Sequence, residues 1–94
     1  MLNCEEIKQQ LQDLKTIYNH FGEDKQMKKL AEESAEFLEK YLKGDRAGAM
    51  AEIADLRVLS TQFYLNESTI RQEYNNKIKR TMERMNESYY EVKR

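Results

Sequence analysis

The sequence predicts an all-α fold: a four-helix protomer whose antiparallel helix pair carries two acidic claws, completed as a bundle by oligomerisation. Three observations predict it. Apolar residues recur at intervals of three and four along four successive stretches, the period of a helix buried on one side. The 94 residues include no Pro and only three Gly, so the chain has few places to turn. With 35% charged and 39% hydrophobic residues, so short a chain is thin in core, and association with further copies is expected to complete it.

The first helix is expected from about residue 3 to 20, with Ile7, Leu11, Leu14, Tyr18 and Phe21 at helical spacing. Gly22 breaks it, and Glu23 or Asp24 is placed to cap the next. The second, about 24 to 43, carries Met27, Leu30, Ala31, Ser34, Leu38, Tyr41 and Leu42 on one stripe, with Glu33 and Glu36 lying away from it. Lys43-Gly44-Asp45 is a stop-and-restart signal: a cation in the last turn, Gly past the end, then an N-cap. So short a connection favours an antiparallel pair. The third helix, about 45 to 65, precedes Asn66-Glu67-Ser68 and a fourth of about 69 to 91. That last helix carries Ile70, Tyr74, Ile78, Met82, Met85 and Tyr89 on its apolar stripe. No linker or repeat interrupts the pattern, so residues 1–94 read as a single domain.

Several function classes drop out. Sixteen basic against seventeen acidic residues argue against a nucleic-acid binder. No apolar run approaches the roughly 20 residues that span a bilayer, so no membrane partner is expected. The amino terminus lacks the blocks of a signal peptide, and one cysteine forms no internal disulfide, which together point to the cytoplasm. Glycine-rich phosphate loops and Glu-x-x-His di-iron pairs are missing. His20, the only histidine, lies where a cation favours the helix dipole.

The informative residues are two acidic clusters, Glu32-Glu33-Ser34-Ala35-Glu36 and Glu52-Ile53-Ala54-Asp55, with fifteen residues between Glu36 and Glu52. Residues three apart project from nearly one face of a helix, so Glu33 with Glu36 and Glu52 with Asp55 each form a claw. Folding the helices antiparallel brings the claws together, and their repulsion calls for a cation; hard oxygen ligands suit Mg²⁺ or Mn²⁺. The first cluster alone, on the second helix, resembles a solvated face, since Lys29–Glu33 and Glu36–Lys40 are both i,i+4 pairs. The third helix is what shifts the balance. From Ala47 to Leu65 only Glu52, Asp55 and Arg57 are charged, and Ala47, Ala51, Ala54, Val58 and Leu65 form one apolar stripe while Leu56, Leu59 and Phe63 form another. Carboxylates in that setting are costly unless paired or metal-bound.

Glu32, Glu33, Glu36, Glu52 and Asp55 in this order resemble the signature of the MazG-like, all-α nucleoside triphosphate pyrophosphohydrolases. Asn75-Asn76-Lys77-Ile78-Lys79-Arg80 is similar to that family's Asn-x-Lys-apolar-x-Arg stretch, and Lys25 to Leu30 is similar to the segment that leads into the acids. The resemblance covers roughly residues 20 to 85. It implies a helical homodimer or homotetramer that hydrolyses a nucleoside triphosphate to the monophosphate and pyrophosphate. In chemical terms, Glu33, Glu36, Glu52 and Asp55 are the metal ligands, and Glu32 or Glu36 orients or deprotonates the attacking water. Asn75, Lys77 and Arg80 bind substrate phosphate. The alternative is a non-catalytic helical-bundle regulator or adaptor, or an inactive relative of that family, whose acids only make salt bridges.

Overall fold

The computed structural model describes residues 2–92, with side chains as far as Glu87. It is all-helical, with no strand among the described residues: α1 (Cys4–Phe21), α2 (Glu23–Leu42), α3 (Arg46–Asn66) and α4 (Ser68–Val92). None of these helices is long and apolar enough to cross a membrane.

Local chemistry explains each boundary. Asn3 caps α1, its side chain accepting from the Glu6 N–H at 2.9 Å. Gly22 sits at φ 88°, ψ 160°, a conformation open only to glycine, and one residue both ends α1 and begins α2. Neither Glu23 nor Asp24 caps α2, contrary to expectation. Gly22 alone separates the helices, so both acids lie in the first turn of α2, where they favour the helix dipole.

Between α2 and α3 the chain reverses within three residues. Gly44 adopts φ 75°, its N–H donates to Tyr41 O, and Asp45 N–H donates to Lys40 O, the paired bonds of a Schellman ending. Asp45 then caps α3 by accepting from Gly48 N–H at 2.9 Å. The reversal sets α2 and α3 antiparallel along the most extensive contact in the molecule. α1 packs mainly on α3, where Tyr18 meets Phe63 edge to face at 5.5 Å and donates to Glu67 Oε1 at 3.3 Å. α4 packs on α3 alone; Arg71 ties it there by donating to the carbonyls of Tyr64 and Leu65 at 2.7 and 3.2 Å. α3 is therefore central and α4 extends beyond the others.

The buried apolar residues are Ala49, Leu59 and Phe63. The face of α2 turned to α3 is not the apolar stripe expected of it. Gln26 and Glu33 are buried and Leu30 and Phe37 half-buried, whereas Met27, Leu38, Tyr41 and Leu42 are exposed. Of the two apolar stripes on α3, that of Leu56, Leu59 and Phe63 is covered, while Ala47, Ala51, Ala54 and Val58 remain exposed. On α4, Ile70, Tyr74, Ile78, Met82 and Met85 are all exposed, and the side chain of Tyr89 lies outside the described residues.

Asp45→Ala removes the cap on which the α2–α3 reversal depends. It is expected to lower the stability of the chain by about 1 kcal/mol in denaturant unfolding, and Asp45→Asn to restore most of the loss.

Candidate functional site

The α2–α3 seam carries the chemistry. Seven residues separate Gln26 from Glu33 on α2, two helical turns on the same face, and α3 answers in reverse order with Glu52 and Gln62. Ligand oxygens of Glu33, Glu36 and Glu52 all lie within 4.8 Å of one another. Glu33 is only 7% exposed, Glu52 is half-buried and Glu36 is exposed. The solvated face that α2 taken alone suggests is not where Glu33 lies: Lys29 pairs with it at 3.2 Å while the carboxylate is buried.

Three acids assemble tightly rather than four. Asp55 is exposed and stands outside the close triplet, although its charge still acts on Glu52. Glu52 Oε2 is buried and receives no hydrogen bond from any described residue. A hydrogen bond to Glu33, then burial, then the charges of Glu33, Glu36 and Asp55 push the Glu52 carboxyl from its ordinary 4.5 up to about 7. Glu33 moves the opposite way, held down by the hydrogen bond from Glu52 and by Lys29. One proton shared across two carboxyls accounts for both shifts. The orphaned Glu52 oxygen and the all-carboxylate donor set are what a hard divalent cation requires, and Glu33, Glu36 and Glu52 are the residues that fit one.

From this cluster an open groove of about 680 Å³ runs along the seam toward α1, lined by both acids and bases. Along α2 its lining passes from Lys25 and Gln26 through Lys28 and Lys29 to Glu32 and Glu33, together with Asp55, Val58, Leu59 and Gln62 of α3 and Ile17 and Phe21 of α1. Glu32 thus borders the groove without joining the triplet. Asn75, Lys77 and Arg80 are exposed on α4 and none lines the groove, so this chain by itself does not bring them to the acids.

Sequence reasoning overlooked Lys28 and Lys29 as groove cations and the buried amides of Gln26 and Gln62. A signal was present for the amides. Gln62 shares the Leu59–Phe63 face of α3, and Gln26 stands two turns before Glu33. No family model, no curated protein and no solved structure matches the chain.

The carboxyl pair makes stability depend on pH. The folded value of Glu52 lies above its unfolded one. Its contribution is therefore fully present below about pH 4.5 and is lost as pH rises through about 7. Glu33, lowered, acts in a separate window, at pH values below its ordinary 4.5. In chelator, the melting temperature should fall between pH 5 and 8, and Glu52→Gln, which keeps the hydrogen bond without the titration, should flatten that slope.

Proposed function

We propose that the chain is a MazG-like, metal-dependent pyrophosphohydrolase that converts a (deoxy)nucleoside triphosphate to the monophosphate and pyrophosphate. The observation that carries this reading is the Glu33–Glu36–Glu52 cluster with its buried, donorless Glu52 oxygen, joined through Glu33 to a groove that Lys25, Lys28 and Lys29 also line. Glu33, Glu36 and Glu52 would hold Mg²⁺ or Mn²⁺, with Asp55 one turn further along the same face of α3. Bound there, the cation offsets phosphate charge and makes the phosphorus a better electrophile.

The chain's own residues supply the rest. Glu36 belongs to the triplet, which leaves Glu32, bordering the groove, to orient the attacking water and take its proton. The water oxygen bonds to the α-phosphorus as the bond to the pyrophosphate oxygen breaks. Lys25, Lys28 and Lys29 face the triphosphate charge along the rim, which favours binding and its retention in the groove. Single changes of Glu33, Glu36, Glu52 or Asp55 to Ala are expected to cut Mg²⁺-dependent pyrophosphate release by about 10²-fold or more, with helix content by circular dichroism intact. Losing helix content together with activity in all four variants would return these acids to a structural role.

Self-association belongs to the same reading. The chain exposes 8004 Å², against about 5,700 Å² for a compact monomer of its size. Its radius of gyration is 16.8 Å, where a compact chain of this length has about 12 Å. The excess lies in the open stripes of α2, α3 and α4, and a homodimer or homotetramer that buries them would complete the bundle. Asn75, Lys77 and Arg80 then act on the groove of a partner copy, as the phosphate clamp. Light scattering should give at least a dimer, and a stable monomer at high concentration would overturn this. Mixing inactive Glu52→Gln with inactive Lys77→Ala should restore about a quarter of wild-type activity in a dimer, because half the pairs are mixed and each holds one intact site.

One observation favours the adaptor reading instead. Lys29 and the shared proton already balance much of the cluster's charge. The two readings separate by melting the protein with and without Mg²⁺: a cation that binds the native state raises the transition, whereas an adaptor with structural acids stays level.

A further inference from the structure

The groove ends, away from the acids, on two buried amides that the hydrolysis chemistry does not use. Gln62 is fully buried and Gln26 is 7% exposed, yet both line the groove. Gln26 Nε2 donates to Gln62 Oε1 at 2.9 Å, and Gln62 Nε2 donates to the backbone carbonyl of Val58 at 3.2 Å.

These bonds form a relay with one direction. A backbone carbonyl only accepts, so Val58 obliges Gln62 to present its nitrogen there and its oxygen to Gln26. That oxygen in turn obliges Gln26 to present its own nitrogen. The orientation of the Gln26 carboxamide is therefore not free. Its Oε1 accepts no hydrogen bond from the described residues and is not among the polar atoms shut off from solvent, although the residue as a whole is 7% exposed. An amide oxygen held in one orientation and left free on a groove lining is ready to accept from a ligand that enters the groove.

The neighbours indicate which ligand. Ile17, Phe21, Val58 and Leu59 give this end apolar walls that suit a flat ring, while Lys25, Lys28 and Lys29 continue toward the acids. Gln26 and Glu33 are seven residues apart on one helix, about 10 Å along its axis. That is the scale of a nucleoside with its base at one end and its first phosphate at the other.

We infer that Gln26 is the specificity-determining residue of this groove: its Oε1, aimed by the Gln62–Val58 relay, accepts a hydrogen bond from an N–H on the edge of a nucleobase. Gln62 acts as a positioning residue, since its own oxygen and nitrogen are both engaged. The inference rests on the nucleotide reading of the groove and adds to it the group that reads the base. A site built around a polar group rejects ligands that leave it unpaired far better than an apolar pocket rejects a misfit.

The test has two arms. In the first, the side-chain amide signals of Gln26 and Gln62 are followed by nuclear magnetic resonance as the full chain is titrated with the four common nucleoside 5′-monophosphates, without metal. Unequal affinities across the bases are expected, with the Gln26 amide shifting most for the tightest. In the second, Gln26→Met and Gln62→Met are each expected to shrink the ratio between best and worst base by about tenfold or more, the loss of one hydrogen bond made by a buried group. Phe63→Leu, a core change away from the groove lining, should lower stability and leave the ratio alone. Equal affinity for all bases, or an unchanged ratio in Gln26→Met, overturns the inference while triphosphate turnover stays intact. Base-dependent shifts at Gln26 in a chain that releases no pyrophosphate would support the base site and sink the hydrolase reading instead.

Discussion

The polar seam between α2 and α3 is the constraint on which the rest of the molecule depends. At one end a carboxyl meets a carboxylate, Glu52 on Glu33, and two turns away an amide meets an amide, Gln26 on Gln62. Both contacts are shielded from water, so each polar atom left unmatched costs about 1–3 kcal/mol. Sliding α2 by one turn would set an amide against apolar side chains and a carboxylate against the wrong face. Apolar packing by Ala49, Leu59 and Phe63 is too small and too uniform to forbid such a slip. Register is thus held by hydrogen bonding, and the Gly44 reversal, by keeping the connection to three residues, leaves little slack to escape it.

Committing the polar face of α2 to α3 has a price in surface. A helix has one face to give, and with Gln26 and Glu33 turned inward, Met27, Leu38, Tyr41 and Leu42 turn outward. α3 is in the same position on its second side, and α4, anchored by Arg71 and the edge-to-face pair of Tyr64 and Tyr74 at 5.3 Å, leaves Ile70, Tyr74, Ile78, Met82 and Met85 exposed. Patches of this extent on a small chain are seldom left to water. The exposed stripes and the polar seam are therefore two consequences of one choice of face.

Helix positions were legible in the sequence because their causes are local. Gly22 and Lys43-Gly44-Asp45 carry the dihedral and capping preferences that end and restart a helix, and the bonds at Asn3, Gly44 and Asp45 follow from residue type. The pairing of two acidic claws was legible too, since i,i+3 spacing and a short turn leave few other arrangements. Which face of α2 turns inward was not. Amphipathicity identifies an apolar side but not what covers it, and Lys29 at i,i+4 from Glu33 gives the same pattern whether the acid is solvated or reached from the rim. The amides left a weaker signal: Gln62 shares the Leu59–Phe63 face and Gln26 stands two turns before Glu33, but a buried glutamine has no period of its own, and the two acquire meaning only once they meet across the seam. Asp55 stood outside the triplet because spacing predicts a shared face but not how far each side chain reaches.

A seam of this kind is a poor way to hold two helices together if holding is its only task. Well-packed apolar residues of similar volume in place of a buried charged pair commonly leave stability unchanged or improved. Here the hydrogen bond to Glu33, burial, and then the charges of Glu33, Glu36 and Asp55 push the Glu52 carboxyl up to about 7, and Lys29 reaches over Glu33. Both are partial remedies. The proton serves only one of the carboxyls, and Lys29 approaches from one side. A buried oxygen of Glu52 is still left without a donor, and the oxygen of Gln26 two turns away accepts from no described residue, although it is not shut off from solvent. Glu33 and Gln26, the α2 members of the two contacts, both line one groove, and the groups that suit them are complementary: a cation beside the acids, a hydrogen-bond donor at the amide. A ligand that brings negative charge with a bound cation at one end and an N–H at the other would satisfy both at once, and the free energy released would appear as affinity. Held by partial remedies, the seam is a costly way to join two helices, and its polar groups are where a ligand would add most.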